Sequence, residues 1–207
     1  MVVDDNSPDG TGRWAHRQAE SDPSFFCLIR PRRLGLGTAA QTAFQFAIEH
    51  EFEWLATLDA DGSHDPADLP KLLAAAEQSE QPRVDCVIGS RYVEGGKVEG
   101  WPWHRKTASR LVNHFSRFRL GLATRDNSTA FRVYRVDALR RLSVETLRSR
   151  GYAYLEEILW RLQKTGARTL EVPVTFRDRT HGRSKLSLRV ASQKLFDLIR
   201  MKGGPRR

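Results

Sequence analysis

Trp54-Leu55-Ala56-Thr57-Leu58-Asp59-Ala60-Asp61-Gly62-Ser63-His64-Asp65-Pro66 is an apolar run that stops abruptly at two carboxylates one residue apart. The run has strand character, and the Gly, Ser, His and Asp-Pro that follow read as a turn opening a helix. In an extended backbone, residues two apart project to the same side, so Asp59 and Asp61 can aim their carboxylates at one point. A hard divalent cation suits that point: Mg²⁺ or Mn²⁺ prefers oxygen ligands and is typically held by one or two carboxylates, with substrate phosphates and water completing the shell. The stretch therefore predicts a nucleotide-diphosphate site at the end of a strand. The plainer alternative is a pair of acidic residues that are merely solvated there.

Outward from this stretch the pattern alternates. Met1-Val2-Val3 reads as a strand running into the polar turn Asp4-Asp5-Asn6-Ser7-Pro8-Asp9-Gly10, with Asp4 where strand becomes loop and Thr11 as a helix cap. Residues 25–29 form a second strand. Gly35 and Gly37 then lead into a helix marked by Ala39, Ala40, Ala43, Phe44, Ala47 and Ile48. Gly-x-Gly before a helix either seats a phosphate on free amides or allows close helix–strand packing, and both remain open. Residues 66–77 read as a helix and 84–89 as a strand. Strands separated by helices predict an α/β fold, a mostly parallel sheet with helices on both faces. Ligands gather at the carboxyl ends of such strands, where Asp4, Asp59 and Gly89-Ser90-Arg91 are expected to converge.

The second half is less regular. Residues 93–97 read as a loop, and a helix is expected from His104 to about Leu120, with Leu111, Val112, Phe115 and Phe118 as its apolar side. Arg105 and Ser109, four apart, share a face of that helix, with Lys106 and Arg91 nearby. A hydroxyl among several cations suits a phosphate ester, although the cations could simply line the wet side. Residues 126–135 give a polar turn and a short strand, and Gly151-Tyr152-Ala153-Tyr154 leads into a helix. Pro173 marks residues 170–174 as an edge strand. Residues 177–186 read as a cationic loop near the site, and 187–200 as a packing helix.

Composition bounds the class. The 207 residues, 40% hydrophobic and 29% charged, suit one ordinary globular domain. No run of about 18 apolar residues and no basic-then-apolar leader occurs, so the expected location is the cytosol. Cys27 and Cys86 each lie in an apolar run without metal-ligand spacing and read as small core residues. The 34 Lys and Arg against 25 Asp and Glu leave a net charge of +9, which favours polyanionic partners. A nucleic-acid binder would share that charge. Against it, the aromatic residues are not interleaved with the basic runs, and neither helix-turn-helix nor zinc spacing is present.

In combination, Val3 to Thr11, Leu36-Gly37-Thr38-Ala39, Asp59 to Pro66, Gly89-Ser90-Arg91-Tyr92, Trp101-Pro102 with Arg105, Phe131-Arg132-Val133-Tyr134 and Ser184-Lys185-Leu186 resemble the dolichyl-phosphate (polyprenyl-phosphate) mannosyltransferases. These are family 2 inverting glycosyltransferases with the nucleotide-diphospho-sugar transferase A-type fold. The resemblance runs nearly end to end, as one catalytic domain over residues 1–207. It implies metal-dependent transfer of mannose from GDP-mannose to a polyprenyl phosphate, at the cytoplasmic face of a membrane, with any membrane-protein partner left open. By the same resemblance Asp4 contacts the nucleoside. Asp59, Ala60 and Asp61 meet the donor diphosphate; Asp59, Asp61 and Ser63 hold Mg²⁺ or Mn²⁺. Arg91, Arg105 and Ser109 cradle the acceptor phosphate, Arg179 and Lys185 close over the donor, and Asp61, Arg91 and Arg105 are the catalytic set.

The resemblance also carries a departure. Members of the family begin with an earlier strand and a Pro-x-Tyr-Asn-Glu turn that have no counterpart here, so the expectation is a sheet lacking that strand, as in an N-terminal truncation. Two rivals stay open: a polyprenyl-phosphate glycosyltransferase using another sugar nucleotide such as UDP-glucose, and an inactive remnant.

Overall fold

In the computed structural model, which describes residues 1–78, 83–178 and 188–201, strand and helix alternate as expected in the first half. The elements are β1 (Val2–Asp4), α1 (Thr11–Ser21), β2 (Cys27–Ile29), α2 (Leu36–Glu49), β3 (Trp54–Thr57), a 3-10 turn (Pro66–Asp68), α3 (Leu69–Glu77) and β4 (Cys86–Ser90). There follow β5 (Lys97–Glu99), α4 (Trp103–Leu120), β6 (Arg132–Arg135), α5 (Val136–Arg141), α6 (Tyr154–Lys164), β7 (Thr169–Pro173), β8 (Thr175–Arg177) and α7 (Leu188–Arg200).

The main sheet has the order β3-β6-β4-β7. β4 and β7 pair in parallel, whereas β6 runs antiparallel to both β3 and β4. Sequence periodicity does not show this reversal. Asp126, six residues before β6, is bonded to Arg91 at the carboxyl end of β4, so the chain re-enters the sheet from that end and must run back down it. Pro173 closes β7, an edge strand as its proline requires. Helices cover both faces. Cys86, Ile88 and Tyr134 pack with α2, α5 and α6, while Val87, Val133 and Phe131 pack with Leu72 and Ala76 of α3, the two-residue alternation of buried strands. Burial pushes the Cys86 thiol up to about 12, in keeping with a structural role. Cys27 is half-buried, its thiol also raised by burial.

Several local expectations are corrected. Lys97, expected to end a loop, instead begins β5 (Lys97–Glu99), which pairs in parallel with β8. Thr11 does not cap α1; Asp9 accepts both its amide and its hydroxyl. Gly35 and Gly37 serve close packing: the Gly37 amide donates to the Arg150 carbonyl at 2.8 Å, and a Cβ on Gly37 would meet the Ser149 carbonyl oxygen at 2.0 Å. α4 is turned so that Leu111 and Phe118 face solvent while Asn113, Ser116 and Leu120 are buried. A polar network explains that orientation. Asn113 accepts from the Asn127 amide and donates to Ser128 and to the Ser109 carbonyl, and Ser116 accepts from Asn127.

β1 and β2 pair with each other in parallel and with no strand of the main sheet. α2 packs against both β1 and β3, so the two sheets flank one helix without a shared ladder.

Candidate active site

The acidic stretch forms a folded turn at the end of β3. The Ser63 amide donates to Asp61 Oδ1 at 3.0 Å, and the Gly62 φ of 75° makes the reversal, a conformation in which glycine pays no Cβ penalty. Asp65 then caps the 3-10 turn by accepting from the Ala67 amide, while Pro66 begins it. The far side is fastened by β8: the Arg177 amide donates to the Ser63 carbonyl, and its guanidinium reaches Asp65 at 3.0 Å.

His64, which sequence reasoning treated only as part of the turn, holds the first carboxylate residue in place. Its ring is buried between Phe131 and Phe176, at centroid distances of 5.3 and 5.4 Å. Nδ1 accepts from the Asp59 amide at 3.1 Å, so the neutral ring carries its proton on Nε2, 3.4 Å from the Thr129 hydroxyl. Burial, and then the nearby Arg91 charge, push the imidazole from 6.5 down to about 4. As pH falls, the unfolded chain takes up this proton first. The stability tied to the neutral ring is therefore whole above about 6.5 and is lost progressively towards about 4. A thermal-melt series should show the melting temperature declining across that window, and His64→Gln, which can still accept from Asp59, should flatten the decline. An equally steep decline in the variant would show that other groups cause it.

The cationic side meets the acidic turn through aromatic rings. Phe176 lies 5.1 Å from Trp101, and the Arg91 guanidinium stands 5.2 Å from the Phe176 ring. Arg105 stacks on Trp101 at 4.0 Å and bonds Asp178 at 2.9 and 3.1 Å. Ser109, one turn along α4, accepts from the Tyr92 hydroxyl at 2.7 Å. Asp59 acts electrostatically on Arg91, and Arg91 and Asp61 both act on His64, so carboxylates and cations share one site.

Arg91 is buried, and its fork is engaged by Asp126: Nε and Nη2 donate to the two carboxylate oxygens at 2.7 Å each, and Nη2 also reaches Ser128. The pair keeps Asp126 below the usual carboxylate range despite burial and raises Arg91. Removing one partner of such a pair costs about 3–5 kcal/mol, because the other is left charged in a low-dielectric interior. Asp126, read from sequence as part of a polar turn, is thus the anchor of Arg91. The signal that could have found it is Arg91 itself, since a buried guanidinium needs an acid.

Asp4 ends β1 and is buried, its Oδ2 accepting from the Ser7 amide and packed against Gly12 of α1. It belongs to the detached β1–β2 pair, and no described contact brings it to Asp59. Asp5 instead organises the neighbouring loop, bonding Arg30 and the Leu34 amide. Arg179 and Lys185 lie outside the described residues. Arg177 and Asp178, which precede them, are both fastened at the site. A concavity of about 960 Å³ between α6 and α7, whose lining includes Trp160, Arg161 and Asp197, holds none of these groups.

No set of three His, Cys, Asp or Glu gathers to hold an ion among the described residues. An Mg²⁺-type site does not require one, because substrate phosphates and water supply most of its oxygens. The donor set is suitable. Asp59 and Asp61 offer hard carboxylate oxygens, and the buried Ser63 hydroxyl has no hydrogen-bond partner among the described residues.

Comparison with known proteins agrees with the architecture. Residues 1–143 match Glycosyl transferase family 2. The chain is 40% identical over 200 residues to an undecaprenyl-phosphate mannosyltransferase of Micrococcus luteus, covering 97% of this chain and 80% of that protein. It is 39% identical over 188 residues to a polyprenol monophosphomannose synthase of Mycolicibacterium smegmatis, covering 90% and 69% respectively. Glucosyl-3-phosphoglycerate synthase of Mycobacterium tuberculosis, solved with phosphoglyceric acid, superimposes over 100% of this chain and 69% of its own with a TM-score of 0.63 at 16% identity, a likeness of fold. With its carboxylate turn at the end of a strand in a helix-covered α/β sheet, the chain belongs to glycosyl transferase family 2 and is a glycosyltransferase of the A-type fold.

Proposed function

We propose that the protein transfers mannose from GDP-mannose to a polyprenyl phosphate such as dolichyl phosphate, with inversion at the sugar carbon and with Mg²⁺ or Mn²⁺. The observation that carries this is the joining of the Asp59–Asp61 turn to Arg91 and Arg105 through His64, Phe176 and Trp101. It supplies carboxylates for a metal–diphosphate and cations for a second phosphate in one place. The two curated relatives, named for polyprenyl-phosphate mannose synthesis, support the choice of sugar and acceptor.

A phosphomonoester has its second pKa near 6, so the acceptor is already an anionic nucleophile at neutral pH and needs no strong base. One of its oxygens attacks the anomeric carbon, the bond from that carbon to the diphosphate breaks, and GDP departs with the electron pair. Two anions must be brought together against their repulsion, which is a task for positioned cations. Arg105 and Ser109 bind and orient the acceptor phosphate from α4, and Arg91, fixed by Asp126, contributes positive potential beneath it. Asp59 and Asp61 would hold the ion with Ser63, and Ala60 between them would let the donor approach the backbone. The bound ion would neutralise charge on the departing diphosphate. Asp4 is assigned to the nucleoside, and Arg179 and Lys185 to the donor diphosphate. The work is placed at the cytoplasmic face of a membrane, where such an acceptor resides.

The test is transfer from labelled GDP-mannose to undecaprenyl or dolichyl phosphate, in parallel with UDP-glucose, GDP-glucose and UDP-mannose. Mannose incorporation from GDP-mannose alone, abolished by chelator, is expected; preferred turnover of UDP-glucose would overturn the donor assignment. In the same assay Arg105→Ala should raise the KM for polyprenyl phosphate about 10-fold or more, and Ser109→Ala less, with little change in the KM for GDP-mannose. If both variants raise only the donor KM, the two subsites are assigned the wrong way round.

A further inference from the structure

Thr129 is buried in the loop between α4 and β6, with its hydroxyl 3.4 Å from His64 Nε2. The ring has no choice of role at its other nitrogen. Nδ1 faces the Asp59 amide, which can only donate, so the buried neutral ring must keep its proton on Nε2 and direct it at Thr129. The hydroxyl can receive it, because one of its lone pairs takes the Phe131 amide at 3.2 Å and the other is left for the ring. Nor can the hydroxyl drift, since its loop is fastened through the backbone from several elements. Glu171 of β7 accepts the Arg125 and Asp126 amides, Asn113 of α4 accepts the Asn127 amide, and the buried Arg132 of β6 donates to the Asn127 carbonyl at 2.8 Å. From β3 the Thr57 hydroxyl, shortly before Asp59, donates to the Ala130 carbonyl at 2.6 Å. The same loop carries Asp126 and Ser128, which hold the Arg91 guanidinium.

We propose that Thr129 is a positioning residue for the carboxylate turn: by accepting the Nε2 proton of His64 it selects the ring tautomer whose Nδ1 receives the Asp59 amide, and the loop it shares with Asp126 and Ser128 thereby sets the turn and Arg91 in one frame. The chemistry at stake is the place of a single proton. Without the hydroxyl, Nε2–H is left unpaired between the Phe131 and Phe176 rings, a costly state for a buried donor. The ring then gains by moving the proton to Nδ1 or by rotating, and in both cases the Asp59 amide loses its acceptor. That this backbone carries an ion ligand rests on the proposed function; the tautomer itself does not.

The experiment separates the two. The tautomer is read by long-range proton–nitrogen correlation NMR of the histidine rings in the isotope-labelled protein, with His64→Gln identifying the signal by its absence, and Mn²⁺ with GDP is titrated by calorimetry. The wild type is expected to show His64 with its proton on Nε2. Thr129→Val should lose that signature and weaken binding of Mn²⁺ with GDP about 5-fold or more, Thr129→Ser should restore both, and neither should change the KM for polyprenyl phosphate by more than about 2-fold. Ser128→Ala, the neighbouring change in the same loop, should do the reverse: the His64 tautomer and the Mn²⁺ with GDP affinity stay, and the KM for polyprenyl phosphate rises about 3-fold or more. A wild-type ring with its proton on Nδ1 overturns the proposal without recourse to any variant. So does a Thr129→Val protein that keeps both the Nε2 tautomer and the wild-type affinity, or a pair of variants that weaken donor and acceptor alike, the mark of a loop that is only structural. Failure of the wild type to bind Mn²⁺ with GDP, with the tautomer pattern intact, would overturn the proposed function alone.

Discussion

Asp61→Ala should lower mannosyl transfer about 100-fold or more without unfolding the protein, and Asp59→Ala should do nearly the same. Both residues lie in the turn after β3, outside the two hydrophobic clusters. Their removal therefore takes little packing with it. The carboxylates differ in one useful respect. Asp61 Oδ1 also accepts the Ser63 amide, so alanine there relaxes the turn as well as removing a charge. Asp61→Asn keeps that acceptor and removes only the charge. Equal losses in Asp61→Ala and Asp61→Asn, with wild-type melts, would assign the effect to the missing ligand charge. Isothermal titration of Mn²⁺ with GDP should lose its metal-dependent component in each variant. Wild-type turnover in any of them, or full activity of the parent enzyme in excess chelator, would refute the metal site.

A larger structural effect is expected at the gap between the two sheets. Val2 and Asp4 bond to the β2 side, as the Val2 amide to Phe26 and the Arg30 amide to Asp4 show, so in a parallel ladder the Val3 amide and carbonyl turn to the opposite edge. In β3, Glu53 accepts from the Val136 amide, and the alternation of an antiparallel pair turns the amides of Trp54 and Ala56 away from β6. These two edges border the same helix, α2, yet form no ladder with each other. The side chains of β1 and β3 are mostly half-buried, whereas β4, flanked on both edges, is buried throughout. We propose that one further strand docked between β1 and β3 would complete a continuous sheet. Each buried backbone group it pairs is worth about 1–3 kcal/mol, against a total stability of roughly 5–15 kcal/mol.

A polypeptide carrying an apolar strand and a Pro-x-Tyr-Asn-Glu-like turn ahead of Met1 should accordingly melt at least 10 °C above the 207-residue chain and bind GDP more tightly. Should the 207-residue chain melt cooperatively at the same temperature and transfer mannose unaided at an undiminished rate, the slot is not a strand site.

Much of the architecture follows from local patterns. Apolar runs of strand length alternating with 3.6-period helices dictate an α/β sheet covered on both faces, because each element has to bury its apolar side. The place of the Asp59–Asp61 pair just after a strand was legible because an apolar run that stops at polar residues marks a strand end, although the pair stands in a folded turn and not in the extended backbone expected for it, and Pro173 announced an edge because proline has no amide to give. What only the tertiary structure decided depends on partners distant in sequence. Arg91 is a fixed guanidinium because Asp126, 35 residues away, accepts both arms of its fork. The same ion pair brings the chain back to the carboxyl end of the sheet and makes β6 antiparallel. His64 became a support for Asp59 only when Phe131 and Phe176 closed over its ring. α4 shows the limit most clearly. Of its expected apolar side Phe115 packs on the core and Val112 is half-buried, but the hydrogen-bonding needs of Asn113 and Ser116 with Asn127 and Ser128 turn the helix so that Leu111 and Phe118 face solvent. A buried polar network satisfied in full outweighs an apolar stripe, and hydrophobic periodicity alone cannot see it.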